Sequence, residues 1–186
     1  MKKPLLLIAA TLVLVAVIHA QPNETSLKKV TPETKQQKND KKEELKKLPG
    51  TEVSPLAKQE FYQIYGNTPA VWKRTLNYDQ VTFKSGGEDN TAYYDADAKL
   101  VGTLIQKKFA DIPDDAQKYI KEHYPGYILE DVAFFNDNEL NTTDISLFNK
   151  QFDDEDCFYV KLKKDNKEYL LKIKQTGVVS DSRQLD

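Results

Sequence analysis

The chain has one cysteine, Cys157, so no intrachain disulfide can form and the fold must hold by packing alone. In "DDEDCFYVKL" that thiol opens a strand-like run beside four acids, which would raise its pKa, so it reads as a small strand residue and not as a nucleophile. Histidine is almost as scarce. His19 lies in an N-terminal apolar leader, which leaves His123 as the one imidazole available to folded chemistry. Triads of serine, histidine and aspartate, histidine or cysteine metal spacings and glycine-rich phosphate loops are all missing. His123 closes an apolar helical stripe beside Tyr124 and reads as a packed helix-end residue, not a general base. These absences argue for a protein without catalytic chemistry, without a cofactor and without a bound metal.

A long hydrophobic run is missing too. The apolar stretch from Leu5 to Ile18 is shorter than the roughly 20 residues that a bilayer-spanning helix needs. Lys2 and Lys3 precede it and Ala20 closes it before "QPNETS", so residues 1–20 read as a signal peptide cleaved after Ala20. The expected mature protein is soluble in the periplasm or secreted, with no transmembrane segment. Removing Lys2 and Lys3 from 27 basic residues leaves 25 against 29 acidic ones, a formal charge of −4. That balance carries no nucleic-acid footprint. From Gln21 to about Val53, Lys, Gln, Glu, Thr and Asn dominate and aromatic residues are almost absent, the composition of a disordered tether. Its Lys28 to Lys47 portion carries eight lysines against Glu33, Asp40, Glu43 and Glu44, a local charge of +4.

Residues 54–186 have the size of one domain. Within it, "SPLAKQEFYQIYG" and "PDDAQKYIKEHYPG" superpose so that Ala57 meets Ala116, Phe61 meets Ile120 and Tyr65 meets Tyr124. Ala57, Phe61, Ile64 and Tyr65 form one helical stripe; Ala116, Tyr119, Ile120, His123 and Tyr124 form the other. Pro113 with Asp114 and Asp115 suits a helix start, and Pro125-Gly126 stops it. Strand-like segments follow each helix, and the clearest alternates Phe158, Val160 and Leu162 with Tyr159, Lys161 and Lys163. The expected fold is α+β with seven or eight antiparallel strands, built as two tandem α-β-β-β units at about 54–108 and 111–186.

Asp95 and Asp97 have the Asp-x-Asp spacing that often opens a calcium loop. A shift of 79 residues lays "YDADAKLV" over "IKQTGVVS", with Ala98 on Gly177, and the second copy keeps the turn while losing both carboxylates. Aspartate is favoured in turns because its side chain bonds nearby backbone amides, and no run of further oxygen ligands follows. The pair reads as a hairpin corner.

If Val81, Phe83, Tyr94, Val160, Leu162 and Ile173 face the helices, the pleat sends Thr82, Lys84, Tyr93, Tyr159, Lys161, Lys163, Lys172 and Lys174 to the open face. Tyrosines among lysines suit an interface for an acidic protein partner, or a merely solvated face. Trp72 joins either this face or the core; the alternation around it does not decide. Residues 136–156, "NDNELNTTDISLFNKQFDDED", form an acidic loop longer than a compact domain tolerates without structure or function. Its Phe148 and Phe152 either cap the core or anchor a partner.

The stretch "VTFKSGGEDNTAYYDADAKLVGTL", the spacer "KKFADIPDDAQKYIKEHYPGY" and the pair Trp72 and Tyr78 resemble the PepSY-like periplasmic domains. Those resemble β-lactamase inhibitory protein in architecture, with tandem repeats whose helices pack on one side of a curved antiparallel sheet. The resemblance runs from about Ser54 to the C-terminus and departs at Ala98, where the turn glycine is usual, and at the long insertion in the second repeat. It implies an exported, non-enzymatic protein that binds or inhibits another protein, and it brings no catalytic residues and no cofactor. The alternative is an envelope structural protein or small-ligand binder, which would hold a closed apolar pocket between helices and sheet.

Overall fold

The computed structural model describes residues 45–185. The expected signal peptide and the tether up to residue 44 lie outside the described residues. Helix α1 spans Pro55–Tyr65: the Ser54 hydroxyl accepts from the Ala57 amide at 3.4 Å, proline opens the first turn, and Gly66 at φ +68 ends it. Helix α2, Asp114–His123, starts on two aspartates that complement its dipole and ends where the Tyr124 amide bonds the Ile120 carbonyl. Each helix buries a narrower stripe than its spacing predicts. Ala57 and Phe61 are buried on α1 while Ile64 is 48% exposed; Ala116 and Ile120 are buried on α2 while His123 is exposed and stacks on Tyr119.

Ten strands accompany them among the described residues: β1 Ala70–Arg74, β2 Asp79–Ser85, β3 Glu88–Tyr94, β4 Leu100–Gln106, β5 Ile128–Asp137, β6 Ile145–Leu147, β7 Lys150–Phe152, β8 Cys157–Lys164, β9 Lys167–Lys174 and β10 Val179–Leu185. Eight of them form one sheet in the order β1-β2-β3-β4-β5-β8-β9-β10, with every neighbouring pair antiparallel. The protein is therefore α+β. Each helix leads into four strands of this sheet, one more than the α-β-β-β expectation. The last strand also runs further than the Val178 to Ser180 segment that apolarity marks, because "SDSRQL" pairs with β9 as a polar edge. Among the described residues no helix is long and apolar enough to cross a membrane.

The register puts both helices on one face. Phe61 of α1 packs on Val81, Phe83, Ala92 and Tyr94; Ile112, Ala116 and Ile120 pack on Val132, Val160, Leu162, Leu171 and Ile173. Trp72 belongs to this side, half-buried with its ring 5.5 Å from Phe61 and 5.9 Å from Tyr94. The opposite face is not open throughout. The acidic insertion folds into the β6–β7 hairpin, which presses Ile145, Leu147 and Phe152 onto Tyr93, Val101, Phe135, Tyr159 and Leu170.

Residues 45–53, read above as the end of the tether, are docked on the domain. Leu45 packs against the hairpin-side core, the Leu48 amide bonds the Leu76 carbonyl at 2.9 Å, and the Arg74 guanidinium bonds the Pro49 carbonyl at 2.7 Å. Arg74 also grips fully buried Asp79 through two contacts of 2.7 and 2.6 Å, and the Ser54 amide bonds the same carboxylate. This pairing satisfies a charge that burial would otherwise penalise heavily.

Two small residues carry opposite predictions. Ala98 sits at φ +58, so Ala98→Gly should stabilise by up to about 1 kcal/mol. On Gly102, a Cβ would lie against the Phe135 ring and within 2.7 Å of the Asn136 carbonyl oxygen, so Gly102→Ala should cost about 1–3 kcal/mol. Urea denaturation of the two variants checks both signs.

Candidate binding groove

The Asp95 corner holds backbone. One carboxylate oxygen accepts from the amides of Asp97 and Lys99 at 2.9 and 3.0 Å, and the other accepts from the Asn141 side-chain amide at 2.8 Å. The backbone repeats the pattern seen 79 residues later: Asp95 and Lys174 bond Lys99 and Val178, and Ala98 and Gly177 bond back to Asp95 and Lys174, all at 2.8 to 3.0 Å. Asp97 extends to the surface and pairs with Lys46 at 2.9 Å. The corner therefore closes a hairpin and ties the start of the insertion to it.

The lysines of the expected basic face are compensated. Lys161 Nζ lies 2.9 Å from both Glu130 and Glu168, and Lys163 Nζ lies 3.0 Å from Glu168 and 3.4 Å from Glu130. Hydrogen bonds to Lys161 hold both glutamates below the usual carboxylate range, and bonds to the glutamates raise both lysines. Lys172 is buried at 3% exposure, with its ammonium 2.8 Å from Glu155 of the insertion; Lys174 reaches the same carboxylate at 3.9 Å. The lysines expected on an open basic face therefore stand in matched pairs with glutamates. Glu168 sits directly across from Lys163 in the register, and Glu155 arrives from the insertion, so neither pairing is readable from spacing along the chain.

Tyr93 and Tyr159 do stand on this face, but the hairpin buries them. Desolvation pushes the Tyr93 phenol up to about 12 and raises Tyr159 further, and burial holds the adjacent Cys157 thiol up at about 12. Phe148 and Phe152 separate. Phe152 is 1% exposed, with its ring 5.0 Å from Tyr159 and the Arg183 guanidinium 4.1 Å above it. Phe148 occupies the two-residue turn between β6 and β7 and is 53% exposed.

The hairpin covers Tyr93 at the end of β3 and the sheet from β4 outward. Between its flank and the bare strip of β2 and β3 runs a groove of about 460 Å³. Tyr93, Leu104, Ala133, Tyr159 and Leu170 supply its apolar part; Gln80, Thr82, Asp89, Thr91, Gln106 and Asp131 supply polar groups; Leu147 and Phe148 come from the hairpin and Lys161 from β8. The Lys161 ammonium stands 5.3 Å from the Phe148 ring centre. Asp131 is among the groove members that the sequence reading did not single out. A register shift between Leu129 and Asp131 changes the pleat phase at the start of β5, and nothing in "YILEDVAFF" marks it.

No protein-family model and no curated protein matches the chain. Solved structures do share its fold. A DUF2874 family protein from Bacteroides ovatus aligns with a TM-score of 0.57 at 14% identity, over 73% of this chain and 89% of its own. A BLIP-like protein from Bacteroides fragilis aligns at 0.55 and 16% identity over 73% and 89%. A chain from Bacteroides eggerthii described as a candidate periplasmic protein aligns at 0.58 and 12% identity over 72% and 89%. The fold is thus BLIP-like.

The two phenylalanines give a paired test. Phe152→Ser should lower the melting temperature by several degrees, equivalent to about 3 kcal/mol or more, since it empties a core site. Phe148→Ser should leave it within about a degree or raise it. Differential scanning calorimetry reads both.

Proposed function

We propose that the chain is an exported, non-enzymatic protein-binding module that docks a partner into this groove, with Phe148 as its aromatic anchor. The observation that carries the reading is the conformation of Phe148. It stands at φ +50, followed by Asn149 at φ +60, in a tight turn that favours Asn-Gly. A bulky residue there costs about 1–2 kcal/mol, and exposure of the ring returns little of it. Large exposed aromatics beside an apolar groove are what anchor protein interfaces.

Export rests on the leader at residues 1–20 and is in keeping with the description of the Bacteroides eggerthii chain. The binding or inhibitory role rests on the resemblance to PepSY-like domains, whose tandem repeats we also read in the 79-residue offset of the two hairpin corners, and on the likeness to a BLIP-like protein. The absence of catalysis rests on the side chains: a buried thiol kept protonated, and His123, the one histidine among the described residues, whose Nδ1 faces the Tyr119 carbonyl at 3.0 Å on the solvent side of α2. An open groove over filled cores fits a docking surface better than a ligand store, which needs enclosure.

A photo-crosslinking amino acid at Thr91, in the groove, should give one discrete adduct in native envelope preparations. The same probe at Lys58, on the exposed side of α1, should give none. Phe148→Gly should abolish the Thr91 adduct while raising stability by about 1 kcal/mol. Equal labelling from both positions, or turnover of any substrate removed by a single carboxylate substitution, would sink the reading.

A further inference from the structure

The charges lining the groove cancel, with one exception. Lys84 and Asp89 pair with each other at 2.6 Å. Lys161 is held by Glu130 and Glu168. Asp131 lies directly across from Lys161 in the register, yet the Lys161 ammonium is turned to the two glutamates. Among the described residues no cation comes within ion-pair distance of Asp131; its neighbour is the Gln106 amide, which donates to one carboxylate oxygen at 2.5 Å. The other oxygen is left to solvent or to a guest. Tyr93 feels the same negative charge, which adds to the rise of its phenol.

We infer that the groove receives a cationic side chain of the partner, an arginine, between Asp131 and the exposed face of Phe148. This rests on the groove being the docking site. Three features favour arginine over an apolar or acidic residue. The uncompensated group is a carboxylate that already has one oxygen oriented by Gln106, so the second is fixed in direction for a charge-assisted bond. Phe148 offers a ring face on which a planar guanidinium lies flat, a geometry that an ammonium, attracted to the ring as a point charge, and a carboxylate do not reproduce. The apolar floor of Tyr93, Leu104 and Leu170 suits the methylene stem of a long side chain whose charged end reaches past it. An acidic guest would meet Asp131 with no free cation to offset it.

The test uses the domain with its native N-terminal segment and N-acetyl-arginine amide as probe, followed by amide and side-chain chemical shifts. Saturable shifts should appear at Thr91, Gln106 and Phe148 and weaken when salt rises from about 0.05 to 0.5 M. Asp131→Asn keeps the oxygen that Gln106 bonds and should weaken binding about tenfold, and Phe148→Leu should weaken it severalfold. N-acetyl-citrulline amide, the neutral isostere, should bind no better than the Asp131→Asn variant binds arginine. Equal binding of citrulline and arginine overturns the inference. So does an Asp131→Asn variant with undiminished affinity, or no saturable shift up to about 100 mM probe. Preferred binding of N-acetyl-leucine amide also overturns it but leaves the docking site standing. The crosslink at Thr91 decides that site without involving Asp131, so the two failures are distinguishable.

Discussion

The sheet has two faces that must be covered, and the helices cover one. That leaves Tyr93, Val101, Phe135, Tyr159 and Leu170 on the other side, an apolar surface that is costly to leave in water. The insertion between β5 and β8 is the solution. Its hairpin is too short to be stable alone, and it is fixed by burying Ile145 and Phe152 on those tyrosines. Everything distinctive follows from this contact. Lys172 can be buried because Glu155 arrives with the hairpin, and removing the carboxylate would strand a charge in a dry site. Tyr78 reaches across to the same segment, donating to the Asp144 carbonyl at 2.8 Å and accepting from the Ser146 amide at 3.1 Å. The groove exists because the hairpin stops short of Thr82 on β2 and Thr91 on β3.

Local signals in the chain are legible where one element decides the outcome. Ser54-Pro55 and Pro113-Asp114-Asp115 start helices by chemistry contained within a few residues, and the alternation through Phe158 to Lys163 sorts its faces correctly. The Asp95 corner is legible for the same reason, since the Asp97 and Lys99 amides that close the turn on its carboxylate lie within five residues. What the chain hides is pairing at a distance. Lys161 looks like a free cation until β5 and β9 bring Glu130 and Glu168 to its sides. Phe148 and Phe152 look equivalent until a two-residue turn gives one to the core and the other to solvent. "Phe-Asn" carries no glycine to announce that turn, so the hairpin is invisible to turn chemistry. The width of the helical stripes fails for a related reason: spacing says which residues share a face, and only the sheet beneath says how far the contact extends.

The neutralised lysines change what kind of recognition this surface can perform. A field of free ammonium groups would steer acidic partners from a distance and weaken with salt. A ladder of matched pairs does little steering, and its rigidity instead fixes the shape of the groove wall. Under the docking proposal, selectivity would then pass to the few groups left without an opposite charge and to the fit of apolar surfaces.

Among the described residues, four other than glycine adopt left-handed backbone: Ala98, Phe148, Asn149 and Asp165. Asn149 and Asp165 are residue types that tolerate it, because their short polar side chains bond locally. Ala98 is strained but 7% exposed, and its methyl joins the core under α1, which offsets part of the cost. Phe148 has neither tolerance nor burial. A sequence free to relax would place asparagine or glycine there and gain stability without touching the core, since the hairpin is already held by Ile145 and Phe152. Inside the molecule the ring meets the Lys161 ammonium 5.3 Å from its centre, a contact worth about 0.5–1 kcal/mol at an exposed site, less than the backbone costs, so folding alone leaves part of that strain unreturned.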